Sequence, residues 1–183
     1  MIRWLMWLLG GIVLGGMVHL ATVLALPTTA TRDAYSRLAP IAKVNTVVPL
    51  PEPAAANALL PFMDPAFAAA VCRYDLAETP LKLTVPVSQA YTSVSFYTRK
   101  GIAYYAINDR AAGRRVIELD LMTAQQHADM PEEEDVTAAD RLIVESPTPT
   151  GLIVLKALAP EPGQMASARR TLSGARCRPQ PQE

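Results

Sequence analysis

Hydrophobic positions follow three different rules along this chain. From Trp4 to Leu26 the sequence is uncharged and almost continuously apolar, with Arg3 before the run and Pro27 after it. About 23 residues at 1.5 Å each make a helix of roughly 34 Å, enough to cross a hydrocarbon core. After Pro27 the period is helical: Tyr35, Leu38, Ile41 and Ala42 mark an amphipathic helix over 32–46, capped by Thr28 or Thr31. Pro49, Pro51, Pro53 and Pro61 then forbid continuous helix or central strand, so 49–62 reads as an extended loop. Asp64-Pro65 carries the signature of a helix start, an Asp cap with Pro at the first helical position, and predicts a short Ala-rich helix through Phe67 and Val71 to Cys72.

From there the period becomes two. Leu81, Leu83 and Val85 alternate with Lys82 and Thr84 in a half-buried strand. Val94 and Phe96 mark a second strand, Arg99-Lys100-Gly101 the turn, and 102–107 the returning strand, the strongest hairpin signal in the chain. Ile117, Leu119 and Leu121 line one face of a fourth strand. Thr123 to Gln126 has the spacing of a capping box opening a short helix that ends at Met130-Pro131. Strands over 142–145 and 151–159 flank the Pro147/Pro149 turn, and a last helix covers 163–174. About six strands with short helices predict a mainly β fold, an antiparallel sheet or β-sandwich with helical additions, behind one transmembrane helix. The expected partition is an anchor at 1–27, an amphipathic and Pro-rich stretch at 28–62, a β domain at 63–178 and a disordered tail at 179–183.

A secretory signal peptide is the alternative to an anchor. Signal cores run about 7–15 residues and end in a small-x-small pattern. Leu24-Ala25-Leu26-Pro27 interleaves large side chains and Thr28-Thr29-Ala30 is a weak match, so a retained anchor is the better reading. Gly11 and Gly15 form a G-x-x-x-G pair, flanked by Gly10 and Gly16, that would let a second helix approach closely. His19 is polar where polarity is costly, and it lies near the same side. Trp4 and Trp7 fit an interfacial belt. The expectation is lateral association, with itself or with another membrane protein.

Composition narrows the possibilities. Seventeen basic and seventeen acidic residues balance, and no basic stripe with interleaved aromatics occurs, which argues against a nucleic-acid partner. The two cysteines, Cys72 and Cys177, have no second Cys or His at metal-ligand spacing, so no metal site is expected. An even pair behind an export-like helix points to a disulfide tying the end of the early helix to the C-terminal segment, in an oxidising compartment. Charge near the helix ends leans the other way, with Arg3 before it and Arg32, Arg37 and Lys43 after it. The cysteines outweigh that bias: the N-terminus is expected in the cytoplasm and 28–183 in the periplasm.

Candidate chemistry is sparse. His127, beside Asp129, reads as a solvated surface histidine, and Glu132 to Asp135 as a solvated loop lacking the spacing and Gly of a calcium site. No G-x-S-x-G elbow and no phosphate-binding Gly loop occurs, and no cofactor is called for. Tyr105-Ala106-Ile107-Asn108-Asp109-Arg110 closes the hairpin with an amide, a carboxylate and a guanidinium in succession. These could face a ligand, or form a self-satisfied turn with Asp109-Arg110 or Asp75-Arg73 pairs.

Several stretches in order resemble short membrane-anchored members of the bacterial family catalogued as domain of unknown function 1254. They are Asp64-Pro65-Ala66-Phe67 to Cys72-Arg73-Tyr74-Asp75-Leu76, Ser93-Val94-Ser95-Phe96-Tyr97, the Tyr105–Arg110 stretch, Leu121-Met122-Thr123-Ala124-Gln125, and Leu172-Ser173-Gly174-Ala175-Arg176-Cys177. The resemblance implies a β-sandwich-like fold and an N-terminal anchor, and no reaction. The resemblance also sets an expectation that the chain departs from larger relatives in lacking a second β domain. Three readings follow: a non-enzymatic envelope protein whose β domain binds a partner, a carbohydrate- or lipid-handling enzyme using Asn108, Asp109 and Arg110, or a small-ligand module on a face bearing Tyr97, Tyr104 and Tyr105.

Overall fold

In a computed structural model, described over residues 1–29, 33–52, 60, 63–112, 115–130 and 142–180, the chain forms two units, Met1–Arg32 and Asp33–Glu183. The first is helix α1, Ile2–Thr29. Its stretch Ile2–Leu26 is long and apolar enough to cross a membrane, and none of its residues is buried. Pro27 does not close the helix but lies in its last turn.

The second unit is built of two sheets. Nine strands are described: β1 Val47–Pro49, β2 Phe67–Asp75, β3 Leu81–Pro86, β4 Thr92–Thr98, β5 Ala103–Asn108, β6 Val116–Thr123, β7 Leu142–Ser146, β8 Thr150–Leu158 and β9 Arg176–Pro179. One sheet has the order β1-β2-β8-β4-β5 and the other β7-β6-β3-β9. All pairings are antiparallel except β6 with β7. The predicted alternation holds in the second sheet, where Leu81, Leu83 and Val85 face Leu121, Leu119 and Ile117 in register. These side chains meet Ala70, Tyr74, Val94, Phe96, Ile153 and Leu155 from the first sheet in one buried core. Short helices complete the unit: α2 Ala34–Leu38, α3 Asp109–Ala112, α4 Ala124–Ala128 and α5 Met165–Ser173. Ala168 and Leu172 of α5 join the core, and the predicted capping box at α4 is present, with Thr123 and Gln126 exchanging both bonds.

Three expectations are corrected. The Ala-rich segment after Asp64-Pro65 is strand β2, not a helix. Ala68, Ala70, Cys72 and Tyr74 face the main core, while Ala69 and Val71 face Tyr35, Leu38, Ala42 and Leu50 on the other side. A strand buried on both faces loses its alternation, so its sequence has no period of two to read. Asp64 still accepts a turn bond from the Ala66 N–H at 2.9 Å, the local habit that mimicked a cap. The amphipathic segment after the first helix forms only the five-residue α2, capped by Asp33 through the Ser36 N–H at 2.7 Å. Beyond it, Val44 bridges to Arg73 and Asn45 turns at φ 55°. Lastly, 47–49 and 176–179 pair as edge strands, so Pro179 belongs to β9 rather than a tail. Thr31, most of the Pro-rich loop and residues 131–141, including the acidic run, lie outside the described residues.

Cys72 and Cys177 form a disulfide with Cα atoms 6.6 Å apart. It joins β2 to β9 and so links one sheet to the other. Closing a loop of about 100 residues removes denatured-state freedom worth up to roughly 4.7 kcal/mol in the chain-entropy model. Non-reducing peptide mapping should recover the two cysteine peptides joined. Cys177→Ser is expected to cost about 2–5 kcal/mol of unfolding free energy, measured by denaturant titration of the oxidised parent against the variant.

Candidate functional site

Strand β5 delivers Asn108 to the corner where the chain enters α3. Asn108 Oδ1 accepts the Ala111 N–H at 3.0 Å, a capping bond that engages its carbonyl. Asp109 begins α3, and its Oδ1 is shielded from solvent without a hydrogen-bond partner. Arg110 is exposed, and the ion pairs found among the described residues do not include one with Asp109. Tyr105 lies on β5 itself, half-buried, with its ring centroid 5.8 Å from that of Phe96. The corner therefore keeps three of the candidate residues together and commits Tyr105 to packing.

Neither proposed ion pair forms. Arg73 instead donates from Nη1 to the Ala42 carbonyl at 3.0 Å and lies 4.1 Å above the Tyr35 ring. The Arg99 guanidinium is 5.2 Å from the same ring, and its Nε is 3.8 Å from Asp33 Oδ2. Tyr35 is thus a buried aromatic contacted by two guanidinium groups, a cation–π arrangement that joins α2 to β2 and to the β4–β5 turn. The Asp75 backbone exchanges bonds with the Asn45 side chain, at 2.9 Å and 3.0 Å.

The three tyrosines considered as one binding face are divided by the sheet. Tyr97 packs with the outer cluster around Tyr35, while Tyr104 and Tyr105 pack against the inner core. Tyr104 donates to the Tyr74 hydroxyl at 3.2 Å. Tyr74 in turn has one proton for Ser146 Oγ at 2.9 Å or the Tyr97 carbonyl at 3.3 Å, and Ser146 donates to the Thr148 carbonyl at 2.7 Å. Burial pushes the Tyr104 phenol well above the usual tyrosine range, because phenolate charge would lose its water; the bond to Tyr74 acts in the same direction. Gly151 makes room for this group. A Cβ there would stand 2.5 Å from Tyr74 Cζ and closer still to the Tyr74 hydroxyl and Tyr97 carbonyl oxygens. Sequence reasoning missed this chain of hydroxyls. Tyr74 lies two residues from Cys72, on the same face of β2, and a strand reading of that segment would have turned it inward.

His127 Nδ1 is 2.6 Å from Glu145 Oε1, with both side chains partly exposed, so the surface histidine has a carboxylate partner. Among the described residues no three His, Cys, Asp or Glu side chains are grouped to hold a metal. In α1 a Cβ at Gly11 or Gly15 would meet no atom within 4 Å, so the glycine face has open space beside it. His19 is exposed two turns further on.

A disulfide-linked pair of β-sheets behind an N-terminal apolar helix is the class of molecule these features define. The chain belongs to the family described as protein of unknown function (DUF1254), whose model matches residues 44–179. No curated protein matches it. Among solved structures, the VPA0106 protein from Vibrio parahaemolyticus shares the fold at a TM-score of 0.58 and 12% identity, over 80% of this chain and 34% of that one. A putative uncharacterized protein from Burkholderia cenocepacia is similar at 13% identity and a TM-score of 0.48, over 75% of this chain and 34% of that one. The chain thus matches about a third of the length of each structure.

Two outcomes test the buried hydroxyls. Because the folded pKa of Tyr104 is raised above an unfolded value near 10, its contribution is complete below about pH 10 and is lost as pH rises above it. Unfolding free energy measured from pH 7 to 11.5 should fall more steeply above pH 10 in the parent than in Tyr104→Phe. Separately, Gly151→Ala should destabilise the domain by about 1–3 kcal/mol in thermal or denaturant melts, as an overpacked core does.

Proposed function

We propose that this chain is a single-pass inner-membrane protein whose periplasmic β domain binds or stabilises another component of the envelope. The observation that carries the reading is the pairing of an apolar helix uncovered by the rest of the chain with a domain cross-linked between its sheets. A bare helix of this length needs lipid around it, and stable disulfides belong to oxidising compartments. The N-terminus is cytoplasmic in this reading. Alkaline phosphatase fused after Glu183 is expected to be active in a bacterial host, with Met1 still present in the membrane fraction by mass spectrometry. An inactive fusion would overturn the orientation, and a mature N-terminus beyond Leu26 would overturn the anchor.

The partner contact is assigned to the open glycine face of α1. Lipid supplies little hydrophobic drive between helices, so close backbone packing at Gly11 and Gly15, with a polar contact at His19, is what a neighbouring helix would use. Gly11→Ile combined with Gly15→Ile should release a crosslinked partner or second copy while leaving the protein inserted and its disulfide formed. Unchanged crosslinking in detergent would make α1 a tether alone.

A second reading, a small-ligand or carbohydrate- and lipid-handling site at Asn108, Asp109 and Arg110, is favoured by one observation, the shielded and unpartnered Asp109 oxygen. A carboxylate in that state accepts a hydroxyl or amide readily. Saccharide titration followed by NMR would move the Asn108–Arg110 amides first under this reading, and a spectrum that stays unchanged would remove it.

A further inference from the structure

We propose that Tyr35, Arg73 and Arg99 form a binding site for a phosphate group on the outer face of the β domain. All three belong to the unit Asp33–Glu183, so the inference stands or falls independently of α1.

The sheet brings the three together. Arg73 on β2 lies opposite Leu152 on β8, and Leu152 lies opposite Tyr97 on β4. With strands about 4.8 Å apart, Arg73 and Tyr97 stand roughly 10 Å from each other along one row of the outer face. Arg99 follows Tyr97 by two residues, and Tyr35 packs in the same outer cluster as Leu152 and Tyr97. The Arg73 and Arg99 guanidinium carbons are 4.1 Å and 5.2 Å from the centre of the Tyr35 ring. Two cations held no more than about 9 Å apart repel each other, and the ring face offsets only part of that repulsion.

The chain supplies few acceptors for these donors. Arg73 uses Nη1 on the Ala42 carbonyl, and its Nε is shielded from solvent with no partner. The Arg99 contact with Asp33, at 3.8 Å, is longer than a hydrogen bond. Among the described residues Asp33 is the only carboxylate paired with either arginine. Asp75, the next acid along this face of β2, turns its Oδ1 to the Ala77 N–H. The Tyr35 hydroxyl has no hydrogen-bond partner among the described residues, although the residue is only 7% exposed. One phenol O–H and two guanidinium forks thus converge with donors in excess of the acceptors around them. A carboxylate is flat and matches one fork. A phosphate group carries oxygens on several sides and can meet both forks and the phenol together.

The full chain in neutral detergent should be titrated with inorganic phosphate by calorimetry, at constant ionic strength with chloride as the balancing anion. Saturable binding is expected, with a rise in melting temperature that chloride does not produce. Arg99→Gln, at a side chain more than half exposed, should weaken binding at least fivefold without unfolding the domain. Tyr35→Phe keeps the ring beneath both guanidinium groups and should weaken binding about threefold. Lys100→Gln removes an adjacent exposed cation outside the cluster and should leave the affinity within twofold. No saturable binding up to 50 mM phosphate, or binding that Arg99→Gln leaves unchanged, would overturn the site. So would a loss in Lys100→Gln as large as in Arg99→Gln, since the attraction would then be diffuse charge. Acetate binding as tightly as phosphate would overturn the assignment to a phosphate group. Glycerol 3-phosphate separates the sources: competition with inorganic phosphate means that an esterified group is accepted, and no competition confines the site to the free ion.

Discussion

Strand β2 is apolar on both faces, and the β domain is organised around burying both. Its inner face supplies Ala70, Cys72 and Tyr74 to the core between the sheets, while Val71 on the outer face is covered by Tyr35, Leu38 and Leu50. One strand therefore closes two hydrophobic layers, and neither can form without it. Small alanines on this strand let the layers approach closely, since they add little bulk to either face. The disulfide acts at the same place: Cys72 in β2 is bound to Cys177 in β9, so the strand is covalently joined to the opposite sheet. Loss of β2 would strip the cover from both layers at once, which is the condition for an all-or-none core.

Polar groups are placed to serve this packing. Tyr104, Tyr74 and Ser146 pass a chain of hydroxyl bonds through the end of the core to the Thr148 carbonyl, so aromatic bulk enters without orphaned oxygens. The absence of a side chain at Gly151 is what lets Tyr74 reach that position. On the outer layer Arg73 and Arg99 approach Tyr35 from β2 and the β4–β5 turn. Their stems add apolar area and their charge meets the ring face. The same contacts tie α2, the first element after the apolar helix, firmly to the sheet.

Among the described residues of the β domain, the side chains considered for chemistry are engaged in its structure. Its most reactive-looking corner spends Asn108 on capping α3, and its one exposed histidine is bonded to Glu145. By contrast, the Gly11 and Gly15 positions of α1 have open space beside them, and Ile102 stands exposed in the β4–β5 turn.

The sequence by itself determined the elements whose physics is local. A long apolar run can only be satisfied by helix, half-buried strands show a period of two, and the Thr123–Gln126 box reports its own cap. The β4–β5 turn was legible for the same reason, since Gly101 answers a backbone requirement of the turn itself. Tertiary structure decided the rest. Asp64-Pro65 and the alanines carry a genuine local helix signal, which was overruled because pairing with β8 and burial on two faces reward an extended chain more. The parallel pairing of β6 with β7, the pairing of 47–49 and 176–179 with strands distant in sequence, and the separation of Tyr97 from Tyr104 likewise depend on partners far along the chain. Asn108, Asp109 and Arg110 were found as neighbours because they are consecutive. Tyr74, Ser146 and Gly151 were not, because only the closing of the two sheets brings them together.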